Sequence, residues 1–156
     1  MGYTTDFWGR FELSEEPSKE VKAILRGLNE TRRMARSVDE KYGVEGEFWF
    51  EDKSDFGQAE NPNIIDYNRP PSTQPGLWCQ WALNEVEGKW YIEWDRGEKF
   101  YYYVEWLKYI INRVLDKTLL LLNGEVTWKG EESDDLGRII VKNNKVTVQY
   151  GHVVYE

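Results

Sequence analysis

Alternation between apolar and more polar residues predicts most of the regular structure of this chain. In residues 89–94, Trp90, Ile92 and Trp94 fall on one side of an extended backbone. A period of two is the signature of a half-buried strand, because successive side chains point to opposite faces. The same pattern, or a short apolar run, predicts strands at residues 3–13, 46–51, 64–65, 77–81, 121–129, 137–142 and 145–150.

Two other segments carry apolar residues at the helical spacing of three and four. The first begins at Pro17 and Ser18, which suit a first helical turn, and we expect residues 31–36 to extend it beyond Gly27. Its apolar stripe consists of Val21, Ile24, Leu25 and Leu28. The second helix is expected from residue 98 to residue 115. Its core side consists of Phe100, Tyr103, Val104, Leu107, Ile110, Ile111 and Val114.

Turn-forming residues separate these elements. The strands at residues 77–81 and 89–94 are expected to pair as a hairpin. Asn143-Asn144 supplies the tolerance of positive φ that a two-residue turn between the last two strands needs. Residues 52–76 are the longest irregular stretch and contain four of the five prolines. A loop of that length in a compact domain is often functional, so this segment is a candidate location for a site.

Together these elements predict an α+β fold in a single domain over residues 1–156. We expect a mostly antiparallel sheet of about six to eight strands with two main helices on one face, because a helix stripe and a one-sided sheet bury each other. At this length about 68–70% of the unfolded surface can be buried, so a real core is possible without disulfides or a metal.

A faint internal repeat with an offset of 78 to 80 residues accompanies this fold. Gly9 and Gly88 each precede a short alternating pattern, and the stripe of the first helix matches apolar positions of the second at a constant offset of 79. The copies would cover residues 3–57 and 88–150, with residues 58–87 unshared. Such a doubled strand–helix–strand unit resembles the split pattern of ferredoxin-like folds. Few of the matches are identities, so chance similarity is the alternative.

Charge and composition restrict the classes of function. A net charge of −8 argues against a general binder of nucleic acid or of anionic membranes, because both need a basic surface; plain solubility is the alternative meaning of the acidity. The longest aliphatic run, residues 119–122, is too short to span a bilayer, and the first residues lack the pattern of a signal peptide. Cys79 is the one cysteine, which excludes an intrachain disulfide, and we expect a cytoplasmic location.

The sequence lacks the residue sets of several common kinds of catalytic and cofactor-binding site. One histidine, His152, and one cysteine cannot supply a zinc-type ligand set, and the acidic run at residues 131–135 lacks the spacing of a calcium loop. A nucleophile–histidine pair would have to use His152, which lies in the last residues. The chain contains neither a phosphate-binding loop motif nor a dinucleotide fingerprint. We therefore expect no metal and no cofactor.

Three carboxylates, Glu93, Asp95 and Glu98, are the candidates for catalysis. They lie among tryptophans and tyrosines, where desolvation raises a carboxyl pKa, and paired carboxylates beside aromatic rings also fit a sugar-cleaving site. The alternative is structural. Glu93 falls on the strand face opposite Trp90 and Trp94, and Asp95 and Glu98 are placed to cap the second helix.

Arginines cluster in a short segment of an otherwise acidic chain. Arg32, Arg33 and Arg36 are candidates for binding a carboxylate or a phosphate, because the guanidinium fork matches both groups. If the first helix continues through them, Arg32 and Arg36 share a face. The alternative is that they pair with nearby acids such as Glu30 and Asp39.

The proline-rich loop and the predicted strand after it supply the second group of binding candidates. Tryptophan and tyrosine beside asparagine and arginine are the mixture found at recognition hot spots. The candidates are Asp66, Tyr67, Asn68, Arg69, Trp78, Gln80 and Trp81. Trp78 and Trp81 cannot share one side of a regular strand, so we expect one of them to meet solvent or a partner. The alternative is a rigid connection whose tryptophans fill the core.

Several strings of this chain resemble those of a family of small uncharacterised bacterial and phage-encoded proteins. They are residues 66–71 (DYNRPP), 74–81 (QPGLWCQW), 98–107 (EKFYYYVEWL), 122–126 (LNGEV), 31–34 (TRRM) and 3–7 (YTTDF). The resemblance covers nearly the whole chain. It implies an intracellular protein of one domain with a mobile genetic element as its source, and it implies no activity, cofactor or catalytic residue.

These observations favour a non-enzymatic cytoplasmic binding or accessory protein with a protein partner, since few catalytic groups stand beside many aromatic recognition groups. An inhibitor of a host protein is the specific form that a phage origin indicates. The first alternative is a binder of a small anionic ligand or a sugar, which uses arginine for the anion (as in a nucleotide) and tryptophan or tyrosine for stacking. The second alternative is a carboxylate acid–base enzyme of the glycosidase kind.

Overall fold

The computed structural model describes residues 2–50 and 55–156. In chain order its elements are β1 (Asp6–Leu13), α1 (Lys19–Glu30), β2 (Ala35–Arg36), β3 (Ile64–Asp66), β4 (Trp81–Val86), β5 (Lys89–Trp94), α2 (Tyr103–Arg113), β6 (Leu122–Lys129), β7 (Leu136–Lys142) and β8 (Lys145–Tyr150). Six strands form one antiparallel sheet in the order β4-β5-β1-β6-β7-β8, and β2 pairs with β3. The predicted α+β fold with a mostly antiparallel sheet is confirmed.

One face of the large sheet carries the hydrophobic core. Phe11 of β1 lies opposite Ile92 of β5, and both side chains are buried, whereas the next residue, Glu12, is exposed. Both helices contribute to the same core, α1 through the stripe that contains Leu25 and α2 through Trp106 and its neighbours. Because the core residues of the sheet share one face by their register, both helices cover that face and leave the other face to solvent.

The first helix is shorter than the sequence predicts. It begins after Ser18, whose hydroxyl accepts a hydrogen bond from an amide of the first turn. It ends at Glu30 because Thr31 turns the backbone into an extended conformation. The prediction that residues 31–36 extend the helix is wrong, and Arg32 and Arg36 therefore do not share a helix face.

The second helix also begins later than predicted. Lys99 and Tyr102 have positive φ angles of 59° and 62°, which a right-handed helix does not accommodate, so α2 starts at Tyr103 instead of residue 98. It ends at Arg113, and a short 3₁₀ turn at Leu115–Lys117 follows. Residues 99–102 are thereby freed from the helix and form part of the surface described below.

The strand predicted at residues 46–51 does not form over residues 46–50, and residue 51 lies outside the described residues. Val44–Gly46 is a short 3₁₀ turn, and irregular backbone follows it. Arg33 donates hydrogen bonds to the carbonyl oxygens of Gly46, Glu47 and Trp49, so a buried guanidinium takes acceptors that a neighbouring strand would need. The first copy of the predicted repeat therefore lacks, over residues 46–50, a strand that would correspond to β6 of the second copy.

The predicted hairpin forms with a shifted first strand. Trp81 pairs with Trp94, so β4 begins where the predicted strand at residues 77–81 ends. Residues 77–80 continue the loop instead: the Leu77 carbonyl oxygen accepts the Arg33 amide, and the Gln80 carbonyl oxygen accepts the Asp95 amide. The proline-rich loop is consequently longer than predicted, and its last part contains Trp78.

Candidate binding site

A cavity of about 350 Å³ lies where the proline-rich loop meets the segment that leads into α2. Its wall is largely apolar and aromatic, and consists of Asn68, Pro70, Pro75, Gly76, Leu77, Trp78, Lys99, Tyr101 and Tyr102. A concave, mostly apolar surface with a few polar groups is typical of a binding site. Two of the predicted site residues, Asn68 and Trp78, line it.

A third predicted residue, Arg32, lies at the edge of this cavity. Its guanidinium is 5.8 Å from the centre of the Trp78 ring. It donates hydrogen bonds to the Tyr67 carbonyl oxygen at 3.1 Å and to Asn68 Oδ1 at 3.4 Å. The Asn68 amide in turn donates to Asp66 Oδ1, which shapes the turn that presents Tyr67. Tertiary structure thus joins residues that lie on two separate segments of the sequence.

Exposed aromatic residues line the cavity or are next to residues that line it. Phe56 packs edge-on against Trp78 with ring centres 6.1 Å apart, and Phe56, Tyr67, Tyr101 and Tyr102 are between 42% and 57% exposed. We call Phe56, Tyr67, Trp78, Tyr101 and Tyr102 the aromatic surface. Grouped exposed apolar side chains of this kind mark interaction sites more often than isolated ones do.

The segment before α2 is held in a strained conformation. Lys99 and Tyr102 both occupy the left-handed region, which is rare for residues other than glycine and frequent at ligand-binding segments. Phe100 between them is buried and anchors the segment in the core, and the Tyr101 hydroxyl accepts a hydrogen bond from the Tyr3 amide. This arrangement turns Tyr101 and Tyr102 outward, toward the cavity.

A buried carboxylate, that of Glu47, connects the proline-rich loop to helix α2. Glu47 is completely buried, and its side chain accepts hydrogen bonds from Thr73 at 2.9 Å, from Tyr109 at 2.8 Å and from Arg113. Desolvation raises the pKa of Glu47. The hydrogen bonds from Arg113, the Val44 amide, Tyr109 and Thr73 have the opposite and larger effect, so the pKa of Glu47 lies below the usual glutamate value. Glu47 therefore ties the loop to α2 as an anion at neutral pH.

Arg33 and Arg36 are buried and hold backbone segments together. Besides its three carbonyl acceptors, Arg33 donates to Gln74 Oε1 at 3.3 Å, and burial lowers the pKa of its guanidinium to about 10. Arg36 donates to the Gly57 carbonyl oxygen at 2.8 Å and to Asn63 Oδ1 at 2.9 Å. Both side chains are at most 3% exposed, and neither lines the cavity.

Arg69 is engaged in a bidentate ion pair. Its two terminal nitrogens donate to the Glu45 carboxylate at 3.0 and 2.9 Å, and the Ser72 amide donates to the same carboxylate. Hydrogen bonds from Arg69 and Ser72 lower the pKa of Glu45 to about 2. Arg69 therefore fixes the loop beside the cavity, and its charge is already balanced.

Of the two predicted tryptophans, Trp78 meets solvent and Trp81 fills the core. Trp81 is 2% exposed and its indole donates to the Tyr103 carbonyl oxygen at 2.8 Å. Gln80 donates to the Glu98 carbonyl oxygen at 2.7 Å, which fixes residues 95–100 to the loop. Gln80 and Trp81 position the site without lining it.

The three carboxylates considered for catalysis lie outside the cavity. Glu93 accepts a hydrogen bond from Asn84 on the solvent-facing side of the sheet. Asp95 accepts from the Gly97 amide at 2.8 Å and from Asn29 at 2.9 Å, and Glu98 is exposed. Asp95 and Glu98 do not cap α2, because that helix begins at Tyr103. Their catalytic role stays a prediction.

The structure also bears on three other kinds of site: a metal centre, a membrane-spanning helix and a reactive thiol. Within residues 2–50 and 55–156, no cluster of three or more histidine, cysteine, aspartate or glutamate side chains is placed to hold a metal ion. The described part of the chain has no helix whose length and apolar character would let it cross a membrane. Burial raises the pKa of the Cys79 thiol to about 12, which makes it a poor nucleophile.

Sequence reasoning did not single out Lys99, Tyr101, Tyr102 or Glu47. A usable signal for the tyrosines was present, because four successive aromatic residues from Phe100 onward cannot all face the core from one helix. Glu47 had no such signal, since its buried position depends on donors from two distant segments, the loop at Thr73 and helix α2. Comparisons of the chain with protein-family models, with curated proteins and with solved structures give no match.

Proposed function

We propose that this chain is a non-enzymatic binding protein that docks a partner protein on its aromatic surface. The carrying observation is that Trp78, Tyr101 and Tyr102 converge on one cavity with Arg32 at its edge. Tryptophan, tyrosine and arginine are the residues enriched at interface hot spots, where a pocket receives an anchor of the partner. The resemblance to phage-encoded proteins favours an inhibitor of a host protein as the specific form.

Pre-organisation of the surface supports this proposal. The loop is restrained by the Arg69–Glu45 ion pair and by the hydrogen bonds of Thr73 and Gln74 to Glu47. A surface that is already ordered loses less conformational entropy on association, which favours affinity. The neighbouring segment is anchored by Phe100 in the core, so the backbone on both sides of the cavity is restrained.

The test is capture of a partner from bacterial lysate, followed by a binding measurement with the purified partner. We expect Trp78→Ala to raise the dissociation constant by about 30-fold or more, as for a hot-spot tryptophan. Tyr102→Ala, which changes an exposed side chain with little effect on folding, is expected to raise the dissociation constant about tenfold. Trp8→Ala is the matched control, because Trp8 is an exposed tryptophan on the opposite, solvent-facing side of the sheet. Equal affinities for wild type, Trp78→Ala and Tyr102→Ala would contradict the proposal.

A further inference from the structure

We infer that the cavity receives an aromatic side chain from an acidic segment of the partner, so that a ring enters the cavity and a carboxylate lies at its edge. This inference rests on the proposed function and names the chemistry of the group that the aromatic surface recognises. Ring shape and charge each contribute an independent argument.

The shape of the cavity favours a flat ring. Three aromatic residues, Trp78, Tyr101 and Tyr102, line the cavity, and Gly76 leaves part of the wall without a side chain. A Cβ atom on Gly76 would lie 3.1 Å from the Tyr102 ring, so even a methyl group there would crowd the wall. Aromatic pairs in offset or edge-to-face geometry are favourable beyond the area that they bury, which selects a ring over an aliphatic chain of equal size.

The charge of the cavity favours an anion. Lys99 lines the cavity and Arg32 lies at its edge, and among the described residues neither has a carboxylate within ion-pair distance. Unlike Arg69, whose charge is balanced by Glu45, both side chains therefore offer a positive charge that no described carboxylate balances. Two acids that are close in sequence to cavity-lining residues point elsewhere: Asp66 accepts the Asn68 backbone amide, and the Glu98 side chain is not part of the wall.

A buried donor behind the wall is consistent with an arriving acceptor. The indole N–H of Trp106 is completely buried and has no hydrogen-bond partner within the part of the chain that the structure describes. It lies 3.6 Å from the Cβ position of Gly76, behind Gly76 and Tyr102. An unpaired buried donor is unfavourable, so rotation of the exposed Tyr102 side chain toward a bound group would expose this N–H to an acceptor.

The experiment uses three fragments that share a ring and differ in charge: indole-3-acetate, indole and tryptamine. Binding is followed by NMR at the amides of Gly76 and Tyr102 and at the Trp78 indole. We expect a dissociation constant of about 1 mM for indole-3-acetate, which is ordinary for a fragment of this size. We expect weaker binding of indole, and binding of tryptamine that is at least about fivefold weaker than that of indole-3-acetate, because the positive charges of Lys99 and Arg32 attract one fragment and repel the other.

A matched pair of variants separates the charge effect from a change in folding. Lys99→Gln is expected to reduce the preference for indole-3-acetate over tryptamine about twofold, whereas Lys89→Gln, on the distant hairpin, leaves it unchanged. Equal binding of the three fragments, or shifts confined to other residues, would overturn the inference while leaving partner capture untouched.

AMP serves as a further probe. If AMP binds more than about tenfold tighter than indole-3-acetate, the cavity belongs to a free nucleotide, and the peptide assignment is overturned.

Discussion

Neighbouring arginines of identical chemistry have different fates in this protein. Arg32 and Arg33 are adjacent in the irregular segment between α1 and β2, and their side chains point in different directions. Arg33 points inward to five acceptors, whereas Arg32 points toward Trp78 and the cavity edge. The side of the backbone on which each residue lies, and not its charge, decides whether it is structural or available for binding.

A pair of substitutions tests this assignment. Arg33→Gln should lower the free energy of unfolding by about 3 kcal/mol or more, because it leaves buried carbonyl oxygens without a donor. Arg32→Gln should change it by less than about 1 kcal/mol, since its hydrogen bonds are exposed. Urea unfolding of both variants measures the difference. Similar losses of stability in the two variants would contradict the division of roles.

The two tight hairpin turns illustrate what a local pattern predicts at the scale of elements. Asn143 and Asn144 have φ angles of 47° and 69°, as predicted for the turn between β7 and β8. The β4–β5 turn has the same conformation with Glu87 at φ 50° and Gly88 at φ 81°. Glutamate is not a favoured residue for a positive φ, so this turn holds local strain.

Relief of that strain should stabilise the protein. Glu87→Asn places an asparagine–glycine pair in the turn and is expected to raise the free energy of unfolding by about 0.5 kcal/mol or more. The change also removes one negative charge, so Glu85→Gln, at an exposed position of the same hairpin, is the control. Denaturant midpoints of the three proteins are compared. An equal gain in both variants would assign the effect to charge instead of backbone conformation.

At the scale of the whole molecule, Glu47 connects parts of the chain that are distant in sequence. It joins the turn at Val44–Gly46, the loop at Thr73 and helix α2 at Tyr109 and Arg113. Removing this carboxylate is therefore expected to disturb the cavity as well as the stability of the fold. Glu47→Gln should lower the free energy of unfolding at neutral pH by about 2 kcal/mol, because charge-assisted hydrogen bonds are lost and Arg113 can recover some solvation.

The pKa of Glu47 determines how this contribution depends on pH. Because its pKa is lower in the folded protein than in the unfolded chain, the stabilisation is complete above the ordinary glutamate value and is lost as the pH falls through the folded pKa. Urea midpoints from pH 7 to pH 3 should therefore fall more steeply for wild type than for Glu47→Gln. Parallel curves for the two proteins would contradict an ionised Glu47 at the centre of the network.

The sequence determined the local part of this structure and the inventory of groups. The period of two in the strands, the stripe of α1 and the asparagine turn follow from short-range geometry, and so they were predictable. The strand at residues 46–51, the extension at residues 31–36 and the early beginning of α2 were predicted wrongly, because buried hydrogen bonds of Arg33 and left-handed backbone at Lys99 and Tyr102 override local preference.

Only the tertiary structure decided which of the candidate residues form a surface. Arg32, Asn68 and Trp78 were candidates from sequence, but their company with Lys99, Tyr101 and Tyr102 depends on contacts between segments far apart in the chain. Burial turned Arg33, Arg36 and Trp81 into structural residues, although the same residue types nearby remain accessible. The physical reason is that the residue type determines which groups a side chain can recognise, whereas the packing of the whole molecule determines whether that side chain is exposed.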